Sequence, residues 1–292
     1  MLALDLGVFH RKSKEITIRE ALLWSSIWIA LALSFNLAIY VWKDSQAALA
    51  FLTGYLIEKS LSLDNIFVFY YIFQYFKIEP KYQYRVLFWG IIGALLMRIV
   101  FVFAGIALME KFSWIVYVFG AFLIVTGLRM IIRSEAEVHP EHNPVLKLVR
   151  RLFPVTNKTE DKYLFVRRNG TLMATPLFVA LVVVESTDVI FAADSIPAIL
   201  AVTTDPFIVY TSNIFAILGL RALYFALSGM ISRFNRLHYG LGAILVFVGI
   251  KMLLSDVVHV PPALSLLVIL GILGVSILTS LRRTRTDGRK AA

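Results

Sequence analysis

The chain has 292 residues, 59% of them hydrophobic and 16% charged, with a mean hydropathy of +0.78; a soluble domain is nearer half apolar and about a quarter charged, so the composition predicts a polytopic membrane protein. Cysteine is absent, which excludes disulfides, thiolate metal ligands and thiol catalysis. The formal charge of +10 lies in loops, where the positive-inside rule wants it, so no nucleic-acid partner is expected.

Residues 1–9, MLALDLGVF, are apolar but too few to span a bilayer, and HRKSK follows at once. This is not a cleavable signal peptide pattern. Eight apolar segments follow, at about 20–42, 47–76, 85–108, 112–132, 174–203, 207–230, 237–255 and 261–281. A helix needs roughly 20 residues to cross the hydrocarbon. The second and fifth segments are longer, and they carry acidic residues. Excess length with internal polar groups predicts broken or kinked helices there. Pro197 predicts a break just after Asp194, because proline removes an N–H and clashes with the preceding turn.

The loops predict orientation. On alternate sides of the segments, Lys and Arg collect almost entirely on one side, and the other side has Lys43 and Lys111. The asymmetry is expected to put both termini and the 133–173 loop in the cytoplasm. That loop is mixed-charge, with Pro140, Pro144 and Pro154, and reads as a linker. The C-terminal RRTRTDGRK is a basic juxtamembrane tail able to touch anionic lipid.

The two halves repeat. GAFLIVTGLRM at 120–130 matches GAILVFVGIKM at 242–252, with Gly120/Gly242, Gly127/Gly249, Arg129/Lys251 and Met130/Met252 in register. Asp64-Asn65-Ile66 matches Asp194-Ser195-Ile196. Each repeat has three segments, so the second enters from the opposite side. The predicted architecture is all-α: an inverted repeat of two three-helix units, 47–132 and 174–255, joined by the linker 133–173 and flanked by further helices, the last within 256–292. Secondary transporters are built this way, with the site at the repeat interface near the midplane.

Five carboxylates lie inside the apolar segments: Glu58, Asp64, Glu185, Asp188 and Asp194. A carboxylate in hydrocarbon costs roughly 2.5–3.5 kcal/mol on insertion scales, so such residues face a partner or a cavity. Glu58 to Asp64 is a step of six, as is Asp188 to Asp194. In a straight helix that step turns side chains ~120° apart, and an unwound stretch would bring them together. Ser60, Ser62, Asn65, Ser186, Thr187, Ser195 and Asn213 offer neighbouring oxygens. This is a hard, all-oxygen set suited to Mg, Ca or Mn. His10, His139, His142, His238 and His259 lie at loops or segment ends, where they would not build a zinc or copper site with these acids. Lys59, Arg98 and Arg221 are buried among the same segments. Against five carboxylates they leave a formal charge of −2, that of one divalent ion's counter-charge. The alternative is a buried salt-bridge network that only holds the helices together. No phosphate loop, GxSxG or HExxH is present, so no enzyme is expected.

EKSLSLDN (58–65), ESTDVIFAADSIPAI (185–199) and TTDPFIVYTSNIFAILGLRALYF (203–225) resemble the TerC family, and the whole chain is most similar to its Alx branch. The resemblance implies a multi-pass protein of the bacterial inner membrane, associated with manganese export and historically with tellurium resistance. It implies that Glu58, Asp64, Glu185, Asp188 and Asp194 are metal-site residues. Relatives of this branch carry a further membrane helix in front, and LALDLGVFHRK resembles its last turns. Residues 1–46 are therefore expected to hold a truncated helix stub, with Asp5 at the membrane edge, and the first full helix. Mn²⁺ is then the transported ion rather than a resident cofactor. Proton exchange fits carboxylates that release a metal. The alternatives are a non-transporting scaffold or metal-delivery partner for other membrane or exported proteins, and a tellurium-stress resistance protein.

Overall fold

The eight apolar segments are helical where described, the sixth as two helices. The structure, a computed structural model, describes residues 17–132, 144–156, 163–168, 171–228, 237–258 and 260–290. Asp5, His10, His139, His142 and His259 lie outside the described residues. Helix α1 spans Ile18–Trp42, α2 Ser45–Tyr75, α3 Pro80–Lys111 and α4 Ile115–Ile132. A short helix α5, Pro144–Leu152, precedes a hairpin of β1 (Phe165–Arg168) and β2 (Thr171–Ala174). Then come α6 Pro176–Leu200, α7 Pro206–Leu218, α8 Leu220–Ser228, α9 Leu237–Leu253 and α10 Pro262–Lys290.

Local chemistry sets the helix starts. Thr17 and Glu20 form a reciprocal capping box on α1. Asp44 caps α2 through the Ala47 N–H, and Asp205 caps α7 through those of Phe207 and Ile208. Proline opens α3, α6 and α7, where its missing N–H costs nothing.

Among the described residues, six spans are long and apolar enough to cross a membrane: α1, α3, α4, α6, α7–α8 taken together, and Pro262–Ser280 of α10. Two of the eight expected segments fall outside that set for visible reasons. Helix α2 is long, but Glu58, Lys59 and Asp64 make its middle polar, and α9 has only 17 residues. Contacts at one end fit eight alternating crossings. Lys43, after α1, meets Asp205, before α7, at 2.5 Å, and Tyr117 near the start of α4 donates to Asp256 beyond α9.

Two sequence expectations are corrected. Helices α2 and α6 are continuous, with no unwound stretch between their acids. Pro197 lies inside α6 without ending it, so the helix gives up one backbone bond, to the Ala193 carbonyl. The interruption falls instead at Gly219, between α7 and α8. The 133–173 stretch is more than a connecting loop. Leu146 of α5 is buried among Ile78, Leu177 and their neighbours, and the hairpin pairs Phe165 with Ala174 through Arg168 with Thr171.

The packing is reciprocal. Helices α4 and α9 run antiparallel, with Gly120 against the Gly249 carbonyl and Gly127 against that of Gly242. Helix α3 packs on α6, and α2 packs on α7. A two-fold exchange of α2–α4 with α6–α9 maps each of these pairings onto the other. The centre is α7–α8, with 67% of its span buried, and α4 is peripheral, with 17%.

Candidate functional site

The straightness of α2 decides where its acids go. Glu58 and Asp64 sit on faces ~120° apart; Glu58 lines two adjoining cavities and Asp64 only the second. Lys59 is turned ~100° from Glu58. Its ammonium donates to the Ala216 carbonyl at 3.2 Å and lies beside Gly219 and Trp28. Lys59 thus serves the carbonyl end of α7, where a cation meets the helix dipole, and lines neither cavity.

The first cavity, of about 10 Å³, is lined on its polar side by Glu58, Ser62, Asn65, Arg98, Asp188 and Arg221. Glu58 and Arg98 are each 1% exposed. Arg98 Nη1 donates to Glu58 Oε2 at 2.6 Å and also to Asn213 Oδ1. Asn213 is anchored in turn by its amide nitrogen on the Val209 carbonyl at 2.8 Å. A buried charge needs such partners, since water is not there to solvate it.

The second cavity, also about 10 Å³, is lined by Glu58, Asp64, Asn65, Arg98, Asp194 and Ser195, with Met130 beside them. Asp64 and Asp194 are close enough to feel each other's charge, and Thr126 of α4 lies beside Asp194. Glu58, Asn65 and Arg98 belong to both linings and form the shared wall. The first cavity is offset towards the end carrying the α2–α3 turn, whereas the second draws on both halves of the bundle, with Asp194 and Ser195 near the far end of α6. Phe69 and Leu87 line the first near that turn, and Met130 lies two residues before the end of α4.

Several polar atoms here are buried with no hydrogen-bond partner: Ser62 Oγ, Asn65 Oδ1, Asp188 Oδ2, Ser195 Oγ and Arg98 Nε. Buried polar atoms are nearly always satisfied in folded proteins, so four orphaned oxygens along two adjoining cavities mark a place prepared for a donor or a cation. Other expected oxygens are engaged locally. The hydroxyls of Ser60, Ser186 and Thr187 donate to Leu56 and Val183 carbonyls of their own helices.

The five acids do not meet at one point. Glu58, Asp64, Asp188 and Asp194 line the paired cavities, and Glu185 lies outside both linings, its carboxylate against Gly93 of α3. Among the described residues, no three His, Cys, Asp or Glu side chains form a closed ligand set. Setting aside Glu185 and Lys59 leaves four carboxylates and two guanidinium groups around the cavities, the same formal excess of two negative charges. Thr126 and Met130 were not singled out from the sequence as site residues. The repeated Met130/Met252 register was the available signal.

Comparison with known proteins gives a consistent picture. The sequence pattern of the integral membrane protein TerC family matches residues 43–288. An uncharacterized membrane protein of Myxococcus xanthus is 53% identical over 98% of this chain and 89% of its own length. A protein of Escherichia coli K12 named "Putative membrane-bound redox modulator Alx" is 50% identical over 94% of this chain and 88% of its own. An uncharacterized membrane protein of Rickettsia bellii is 43% identical over 99% and 96%. No solved structure matches the chain. The chain belongs to the TerC family of integral membrane proteins.

Proposed function

We propose that the protein is an inner-membrane transporter of divalent metal cations, with Mn²⁺ its principal cargo, exported from the cytoplasm. The observation that carries this reading is the pair of adjoining cavities lined by Glu58, Asp64, Asp188 and Asp194, with the unpartnered oxygens of Ser62, Asn65, Asp188 and Ser195 along them. Carboxylate, amide and hydroxyl oxygens suit a hard divalent cation. Repulsion by four acids, Glu58 and Asp188 buried and Asp64 and Asp194 partly so, disfavours an oxyanion such as tellurite. The offset of the first cavity towards the end with the basic loops favours entry from the cytoplasmic side. The reciprocal packing of α2–α4 and α6–α9 favours two inverted repeats that rock about the site. Carboxylates that release a metal accept protons, so proton exchange is the natural coupling. A name such as redox modulator is compatible with this. The chain has no thiol of its own, and its influence on redox state would pass through the metal it moves.

The test is Mn²⁺ uptake into sealed vesicles of purified protein, with and without a pH gradient. Wild type takes up Mn²⁺, and the Asp64→Asn/Asp194→Asn double variant, equally well inserted, is slower by at least about tenfold, a loss of roughly 1.4 kcal/mol. Equal rates would remove the transporter reading. They would leave the scaffold reading, in which the acids only brace the helices.

A further inference from the structure

We infer that Arg98 is a tethered counter-cation that must release Glu58 before a metal ion binds, and that Asp188 is where its guanidinium goes. This rests on the transporter reading above and concerns how the same site is switched.

In the present arrangement Glu58 is taken. Its Oε2 accepts from Arg98 at 2.6 Å, and both side chains are 2% exposed. The guanidinium stands on the wall common to both cavities. A cation arriving in the second cavity would meet Asp64 and Asp194 at full strength, but Glu58 neutralised and a positive charge beside it. Coulomb repulsion opposes that loading. When the site is empty the pairing is protective, because Glu58 would otherwise be a buried charge without a partner.

The pose is also incomplete. Arg98 Nε is buried without a partner, although a guanidinium offers five donors in a fixed fork. Across the first cavity stands an acceptor with the complementary deficit: Asp188 Oδ2 is buried and unpartnered, and its carboxylate already acts electrostatically on Arg98. A path joins them. Ala94 and Gly90 lie one and two turns before Arg98 and line that cavity. Side chains on a helix lean towards its N-terminus, so Arg98 extends along this strip of small residues. Moving its fork from Glu58 to Asp188 exchanges one ion pair for another. It leaves the second cavity with three uncompensated carboxylates, Glu58, Asp64 and Asp194, beside Asn65 Oδ1 and Ser195 Oγ. Metal occupancy and arginine position then exclude each other.

Mn²⁺ binding to the purified full chain, followed by calorimetry, tests this. Asp188→Asn removes the landing place without touching the second cavity, and Mn²⁺ affinity falls at least tenfold. Adding Arg98→Gln removes the cation that needed to land, and affinity returns to within about threefold of wild type. A double variant that binds no better than Asp188→Asn alone overturns the inference, because Asp188 would then be a plain ligand. A milder variant covers failure of the double variant to fold. Asn213→Ala frees Arg98 from its second anchor and tightens Mn²⁺ binding severalfold, and unchanged or weaker binding overturns the inference equally. Wild type that binds no Mn²⁺ removes the transporter reading and this inference with it.

Discussion

Met130 is the one sulfur lining the second cavity, among carboxylates, an amide and a hydroxyl. A thioether is a soft donor, indifferent to Ca²⁺ and Mg²⁺ and more favourable to transition metals. Met130→Leu nearly conserves volume and apolarity, a swap that typically costs less than about 1.5 kcal/mol in stability. The variant is expected to hold Ca²⁺ within about twofold of wild type while Mn²⁺ affinity falls about tenfold, roughly 1.4 kcal/mol. Competition between the two ions for one preparation measures the ratio directly, and an unchanged ratio would show that Met130 only packs. The acids themselves were legible in the sequence, because a charge inside an apolar run has few innocent explanations. Their grouping was not. Lys59 adjoins Glu58 in sequence, yet the helical turn of ~100° per residue sends it to the end of α7. Arg98 reaches Glu58 from another helix and is itself held by Asn213 of a third, and no spacing within α2 encodes that meeting.

At the scale of elements, helix α4 shows what small residues do where lipid removes any hydrophobic drive for helices to associate. Gly120 and Gly127 face the Gly249 and Gly242 carbonyls, and a Cβ on Gly127 would stand 2.5 Å from the Gly242 oxygen. Close backbone approach of this kind supplies the van der Waals contact that holds membrane helices together. Gly127→Leu must push α4 and α9 apart, an overpacking cost of about 1–3 kcal/mol. Thermal unfolding in detergent should fall accordingly, and Gly242→Leu across the same contact should match it. If either variant melts like wild type, the pair is not a tight seam. The repeated glycines were visible as a motif, but that the two copies pack on each other was not, because the repeat register says nothing of which helices meet. The kinks were misplaced for a physical reason. Length with internal acids suggested broken α2 and α6, yet both stay helical, and Arg98, held by Asn213, meets Glu58 without unwinding α2. Gly219 interrupts the sixth segment instead, where Lys59 is at hand for the Ala216 carbonyl.

The whole molecule is tied at the end opposite the basic loops, where Lys43 and Asp205 join the α1–α2 turn to the start of α7. This tie was not readable from the sequence, because Lys43 and Asp205 lie far apart in the chain and meet only after the helices have assembled. Burial alone would push the Asp205 carboxyl up. Its hydrogen bond to Lys43 and the amides of Ile208 and Phe207 outweigh that and hold it below the ordinary carboxylate range. A carboxyl depressed in the folded state stabilises the fold once ionised, and this stability is lost as pH falls through the folded-state value. The pair is substantially exposed, so solvent screens it, and the charge–dipole part at the start of α7 amounts to about 0.3–1 kcal/mol. Asp205→Asn keeps a capping oxygen and removes only the charge. Melting temperatures of wild type and variant should therefore differ most near pH 7 and converge below about pH 4, with added salt narrowing the gap at neutral pH. Titration of the membrane-embedded acids shifts both proteins alike, so the difference isolates this clamp. A gap that persists unchanged into acid would mean that the Asp205 charge contributes nothing and that the two turns are held by packing of Trp42 and Phe207 alone.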